Sequence, residues 1–281
     1  MFDSDQLRTR LIDAGLARVA NDLVDSAAEC ISIGTQPSSD GDIPVGASKF
    51  GGNPDLPPDS DWPRWKDVPL SFLCQFNLSS LAKNPIAGHL PDNGLLSFFY
   101  DAEQSTWGFD PKDRGSWHVA LFSQHKLVRN ELPESLPDYS RYSPCEVTFG
   151  EDLTLPGWET LFVKSLNLAD DELDAYLDTF DDEETAGHHL FGHPQEIQGA
   201  MQLECQLASN GVYCGNAEGY KNPKVAKLQA GASDWVLLLQ IDSDDNPGWM
   251  WGDCGCLYFW ITKHDLAEGA FNRVWMVLQC G

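Results

Sequence analysis

Short apolar and aromatic runs, rather than long helical stripes, dominate the pattern of this chain. Leu95–Tyr100, Trp117–Phe122, Trp235–Ile241, Leu257–Ile261 and Val274–Leu278 are bounded by Gly, Pro, Asn or Asp and read as strands. Val236-Leu237-Leu238-Leu239 does not alternate, which predicts a strand covered on both faces. Two stretches carry helical spacing instead. Leu7, Leu11, Leu16, Val19, Leu23 and Ala27 predict a helix over residues 4–29, capped by Asp3 or Ser4. Leu168, Leu173, Tyr176, Leu177 and Phe180 form the predicted inner face of a second helix over 168–180. From Asp170 to Glu184 there are nine carboxylates and no basic residue. The five prolines between Asn53 and Pro69 predict an extended, irregular loop, held to the body by Trp62 and Trp65.

Part of this pattern occurs twice. Gly52-Asn53-Pro54, Leu73-Cys74-Gln75-Phe76-Asn77 and Asp92-Asn93-Gly94-Leu95-Leu96-Ser97-Phe98 appear in the same order as Gly192-His193-Pro194, Leu238-Leu239-Gln240-Ile241-Asp242 and Asp253-Cys254-Gly255-Cys256-Leu257-Tyr258-Phe259. The repetition predicts an α+β fold whose β-rich core is internally duplicated. Within one domain, residues 1–44 are the N-terminal helix and linker, and 45–165 the first half. Residues 166–185 are an acidic helix, and 186–281 the second half. Each element has a structural reading: Gly-x-Pro makes a turn, the amide of Gln75 or Gln240 bonds a neighbouring backbone group, and Asp-x-Gly leads into a buried strand. The halves differ in length, since Gly52 to Gln75 spans 23 positions and Gly192 to Gln240 spans 48.

Composition narrows the functional classes. A chain of 281 residues with 42% hydrophobic content, 10 Trp and 14 Phe has ample material for a core, which excludes disorder. Its apolar runs fall well short of the roughly 20 residues that span a bilayer. The opening Met1-Phe2-Asp3-Ser4-Asp5 has no signal-peptide character, so a cytoplasmic protein is expected. With 43 acidic against 18 basic residues, the formal charge is −25. That charge argues against nucleic acid and anionic membranes as partners, and favours a basic or cationic protein. The eight cysteines lack paired zinc-type spacing and read as reduced structural thiols. No cofactor motif is present: Gly-x-Gly-x-x-Gly, the P-loop and the Gly-x-Ser-x-Gly elbow are all missing.

Three constellations remain. His188, His189 and His193 are the candidate metal ligands, although the flanking Gly187, Gly192 and Pro194 equally suit a turn. Asp242-Ser243-Asp244-Asp245-Asn246 resembles the start of a calcium loop. However, Pro247 stands at the sharp-turn glycine position and Asp253 replaces the final Glu. Trp249 and Trp251 follow closely, and an exposed Trp249 beside acids 242–246 would suit a cationic partner. Asp92 and Asp253 are the corresponding acids of the two halves and the candidates for a hydrolytic carboxylate pair, or simply turn caps. Together with Gln75 and Gln240 these residues make up the candidate binding set.

The chain resembles the YwqG-like family of bacterial proteins (domain of unknown function 1963). The resemblance is carried by Ser48-Lys49-Phe50-Gly51-Gly52-Asn53-Pro54, Gln75-Phe76-Asn77 and Pro91–Phe99. In the second half it is carried by His189-Leu190-Phe191-Gly192-His193-Pro194 and Trp251–Ile261. It covers roughly residues 45 to 281 and departs at His193, where the family pattern has a second Gly. It implies an α+β fold with internal duplication, and neither an activity nor catalytic residues. The expected function is a non-enzymatic protein-binding module with an acidic surface, such as a neutraliser of a basic toxin. The alternative is a metal- or carboxylate-dependent hydrolase.

Overall fold

The computed structural model describes residues 3–179 and 187–281. Ten strands form one antiparallel sheet. In chain order they are β1 (Ala28–Pro37), β2 (Lys49–Phe50), β3 (Ser71–Asn77), β4 (Leu95–Tyr100) and β5 (Trp117–Phe122), followed by β6 (Cys145–Thr154), β7 (His189–Phe191), β8 (Trp235–Asp242), β9 (Cys256–Thr262) and β10 (Trp275–Gln279). Their order across the sheet is β10-β9-β8-β7-β1-β6-β2-β3-β4-β5. The fold is α+β with a β-rich core.

The strand order reads alike from both ends when each strand is exchanged for the one five places on. The central pair β1 and β6 run antiparallel with Gly34 opposite Thr148. A Cβ at Gly34 would lie 2.8 Å from Thr148 Oγ1, so the glycine permits this close central crossing. On either side, β1 pairs with β7 and β6 with β2. By this exchange the corresponding sets are β1–β5 and β6–β10, and each central strand lies against strands of the other set. The correspondence extends to fine detail. β3 and β4 slip register at Leu73, and β8 and β9 slip at Leu238. The Asn77 amide donates to Ser48 Oγ, and the Asp242 amide donates to His188 Nδ1. Leu78 N bonds Gly94 O, and Ser243 N bonds Gly255 O.

Alternation across these registers gives each wing two faces. Phe76 and Phe98 of the first wing and Phe259 of the second share the inner face, where Phe98 meets Phe259 edge-on at 5.1 Å between ring centroids. The outer edges are covered too: Trp117 Nε1 donates to Val274 O, and Leu278 N donates to Trp107 O. An aromatic core of this size, fully removed from water, is the main stabilising element of the fold.

Several expectations require correction. The predicted helix 4–29 is two helices, α1 (Ser4–Asp13) and α2 (Ala20–Ser26), and residues from Ala28 onward enter β1. Gly15 stops α1 in a left-handed conformation, φ 93°, with Leu16 N bonded to Leu11 O and Gly15 N to Ile12 O. That is a Schellman stop, which the apolar stripe ran through unnoticed. The stripe is otherwise right: Leu7, Leu11, Leu16, Val19 and Leu23 are buried, and Asp3 caps α1 in a capping box with Gln6. The acidic helix is α3 (Asp170–Asp178), and it packs Tyr176 against α1 and α2. Leu177 faces out, 37% exposed. Phe180 and the acids 181–184, part of the predicted 166–185 helix, lie outside the described residues. The Pro-rich stretch carries a two-residue hairpin, Arg64–Trp65 with Val68–Pro69, and a short pairing of Asp55–Leu56 with Val128–Arg129. Trp62 does pin it, donating to Leu70 O at 2.9 Å. The central strands β1 and β6 were missed altogether.

Candidate binding site in the second half

The two outer faces begin from the same local device. After β2 the chain turns through Gly51 (φ 59°) and Gly52 (φ 67°), and at the end of β7 through Phe191 (φ 62°) and Gly192 (φ 75°). A bulky residue in the left-handed region costs on the order of 1–3 kcal/mol and persists only where its surroundings hold it. From this turn the chain drops onto the outer face, where the mid-strand glutamine receives it. Gln75 Oε1 accepts from Asp55 N, and its Nε2 donates to Ala47 O and Asp55 Oδ2. Gln240 Oε1 accepts from Gln195 N, and its Nε2 donates to Gly187 O and Gln195 Oε1. The expected bond from amide to backbone is present in both halves.

Beyond the glutamine the halves part. In the first, buried Asp55 is held by Arg129 at 2.6 Å, and fully buried Lys49 by Asp40 at 2.6 Å and by Asn53 O. Burial alone would raise the Asp55 carboxyl, but Arg129, the Gly46 amide and Gln75 outweigh it and hold the group below its ordinary value. Beside this network, Trp62 and Trp65 pack over Leu70, Phe72 and Phe99.

In the second half the cover comes from a helix instead, with Trp235 Nε1 donating to Gln206 Oε1 at 2.8 Å, and Trp235, Leu237 and Trp260 are all buried. Trp235, Leu237 and Trp260, which register places at the positions of Leu70, Phe72 and Phe99, border a cavity of about 610 Å³. Phe191 and His193 form part of its wall, with Gln202 from α4 (Gln202–Ser209) and Lys263 from α5 (Lys263–Ala267). A second, more polar cavity of about 370 Å³ lies between Glu196, Asp242, Cys254 and Trp158. Burial, reinforced by Glu159, pushes the Glu196 carboxyl up to about 7, and its Oε2 has no hydrogen-bond partner among the described residues. Burial raises Asp242 as well. Near neutral pH the Glu196 carboxyl can hold a proton and hydrogen-bond a polar group in the cavity.

The predicted site residues are only partly assembled. His188 Nδ1 accepts from Asp242 N, so its Nε2 carries the proton that faces Asp244 Oδ2 at 3.1 Å. Asp244 also accepts from Thr35 Oγ1 at 2.7 Å and from Asn246 N. Burial would raise this carboxyl, but His188, Thr35 and Asn246 bring it down to about 2. The apparent calcium loop is thus a turn clamped to β1 by protein donors. His189 points to Phe191 O and His193 to Ser26 O, and burial lowers the pKa of both, that of His189 to about 4. The three imidazoles do not converge, and no cluster of three metal-ligating side chains exists among the described residues. Trp249 and Trp251 are core residues, 1% and 0% exposed, stacked near Tyr142 and Phe50. An exposed Trp249 beside the acids is therefore overturned. Asp245 is exposed. Asp92 and Asp253 are exposed in corresponding turns, and no hydrogen bond joins them among the described residues.

Sequence reasoning missed Glu196, Lys263 and Phe191 as site residues. Phe191 alone had a usable signal, because it stands where the first copy of the motif has Gly51. No helix among the described residues is long and apolar enough to cross a membrane. The family model described as Domain of unknown function (DUF1963) matches residues 48–280, so the chain belongs to that family. A comparison with curated proteins finds no match.

Proposed function

We propose that this member of the family is a non-enzymatic binding protein, that its halves arose as copies of one unit, and that the second copy supplies the binding element. One observation carries the reading: a cavity of about 610 Å³, mostly apolar but with Lys263, His89 and His193 on its wall, lies beside β8 and β9 of the second half. Cavities of roughly 300–1,000 Å³ with mostly apolar walls and a few polar groups are typical small-molecule sites. The test is retention of small molecules by the full chain from a metabolite extract, read by native mass spectrometry, with Ala267→Trp as the comparison. Ala267 is exposed and lines the cavity, so the indole fills it without touching the core. Identical retention by both proteins would sink the reading.

A cationic protein partner is the second reading. It is supported by the charge of −25 and by Asp170, Asp171, Asp174 and Asp178, all exposed on α3. A stoichiometric complex that weakens with salt, and weakens further when those four acids become Asn, is the expected result. The hydrolase alternative has Glu196 and Asp242 in its favour, and turnover of a chromogenic ester panel that Glu196→Gln abolishes would establish it.

A further inference from the structure

The smaller cavity, of about 370 Å³, has acids on its wall and no base. Glu196 and Asp242 line it, and none of its described lining residues is Lys, Arg or His. Both carboxyls sit against glycines. A Cβ on Gly157 would collide with Glu196 Oε2, and one on Gly187 would stand 3.0 Å from Asp242 Oδ2. Neither glycine has a positive φ, so what each supplies is room for the carboxyl beside it. Each carboxyl also keeps an oxygen without a partner from the chain. Glu196 Oε2 is shut off from water and accepts no hydrogen bond among the described residues. Asp242 Oδ1 accepts from Ser243 N and Cys256 Sγ, whereas no bond reaches its Oδ2 among the described residues.

The neighbours of Glu196 leave its charge unbalanced. Burial and Glu159 raise the carboxyl, and Lys164 opposes them without overcoming them. Tyr176 and Tyr258 also sense its charge, but their hydroxyls donate to Pro156 O and Gln195 O. Hydrocarbon lies beside the two acids: half-buried Trp158, with Leu177 and Ile197 exposed at the mouth. An ammonium on a short alkyl chain matches both parts. It brings donors and a counter-charge to the carboxyls, and methylenes to the indole and the aliphatic side chains. No group of three metal-ligating side chains exists among the described residues, which favours an ammonium over a metal ion.

We infer that this cavity binds an alkylammonium group, its cation at Glu196 and Asp242 and its alkyl chain along Trp158. The site is separate from the larger cavity and stands whatever occupies that one. On binding, the cation takes the place of the proton that Glu196 holds near neutral pH, and that proton passes to solvent.

The experiment is a titration of the full chain in about 0.15 M salt, which screens the surface acids, followed by ligand-observed NMR. The probes are n-butylammonium and its neutral counterpart 1-butanol. n-Butylammonium binds one to one and, at pH 8, about tenfold more tightly than 1-butanol, the margin of one charge-assisted hydrogen bond. Its affinity rises about tenfold from pH 6 to pH 8, as a carboxyl with a pKa of about 7 gives up its proton while the amine stays charged. Glu196→Gln removes that pH dependence and weakens n-butylammonium about tenfold at pH 8, leaving 1-butanol unchanged. Gly157→Ala, which crowds the carboxyl, weakens the amine as well. A capped Gly-Lys-Gly peptide that displaces n-butylammonium supports the assignment with a protein lysine as the source, and an amine that stays bound in its presence supports a free amine. Equal affinity for the two probes, or n-butylammonium binding that Glu196→Gln leaves unchanged, overturns the inference. Displacement of the amine by equimolar calcium overturns it too, because the carboxyls are then a metal site.

Discussion

Lys49 and His189 occupy the same register position in the two halves, opposite Gln75 and Gln240, and the chemistry around them has diverged. In the first half the lysine anchors a buried network with Asp40, Arg129 and Asp55, and the Pro-rich loop seals the face above it. In the second the neutral imidazole needs no counter-charge, Gln195 stands in place of Asp55, and α4 covers the face, with the larger cavity beside it. One backbone plan thus supports an ionic network under a loop and a largely uncharged arrangement under a helix. The lesson is that the cover comes from outside the sheet and differs between the halves.

The comparison breaks first at Arg129. Arg129→Ala leaves Asp55 buried without its cation, and unfolding in urea should show a loss of about 3–5 kcal/mol. By contrast, Lys263→Gln, on the wall of the second-half cavity, should change stability by less than about 0.5 kcal/mol. The pH dependence follows from the direction of the Asp55 shift. A carboxyl depressed in the folded state adds stability that is fully present above its unfolded value of about 3.9 and lost as pH falls through the lower folded value. The wild-type advantage over Arg129→Ala should therefore shrink below about pH 4. Next is Trp62→Ala, which uncovers Leu70, Phe72 and Phe99. Because Trp62 is only partly buried, thermal or urea unfolding should report about 2–3 kcal/mol.

The glutamines sharpen the contrast. Gln75→Ala removes a donor from a buried carboxylate as well as backbone bonds and should cost about 2 kcal/mol. Gln240→Ala, which faces a neutral amide, should cost about 1 kcal/mol. Equal losses would show that the ionic network does not distinguish the halves. An effect of the opposite sign is expected at Glu196, where Glu196→Gln should stabilise by about 1 kcal/mol above pH 7. A carboxyl raised to about 7 costs stability as pH climbs from its unfolded value near 4.3, so the gain fades below pH 5. Unfolding curves at pH 5 and pH 8 check both size and sign.

Much of the fold was legible, and the reason is specific to each element. β4, β8, β9 and β10 are buried on both faces, so their aromatic and branched runs stand out from the flanking turns, as does the half-buried run of the edge strand β5. β1 and β6 lie at the centre of the sheet yet expose residues such as Glu29, Glu146 and Glu151, so they read as a helix end and a variable stretch. Central strands are expected to be apolar, and here the position in the sheet comes from long-range pairing that no local window contains. The candidate site was less legible. His188 and Asp244 were correctly singled out, but they bond each other and Thr35 instead of a metal. Trp249 sits in a Gly- and Pro-rich turn that suggests exposure, while tertiary packing buries it against Phe50. Lys263 and His89 meet at one cavity only because topology brings the start of α5 near the connection after β3.

The crossed central strands also set the order of events during synthesis. β1 cannot pair until β6 and β7 exist, and Ala28 waits for Thr154, 126 residues later. At about 5–20 residues per second, that delay is roughly 6–25 s on the ribosome. During it, the first four-stranded wing can assemble while β1 trails with its pairing groups open to water or to a neighbouring chain. Contacts this distant in sequence slow folding, because loop closure precedes any gain from pairing. The same exchange that joins the halves in the finished molecule makes nascent chains prone to joining each other, so the yield of monomer should fall when synthesis is crowded.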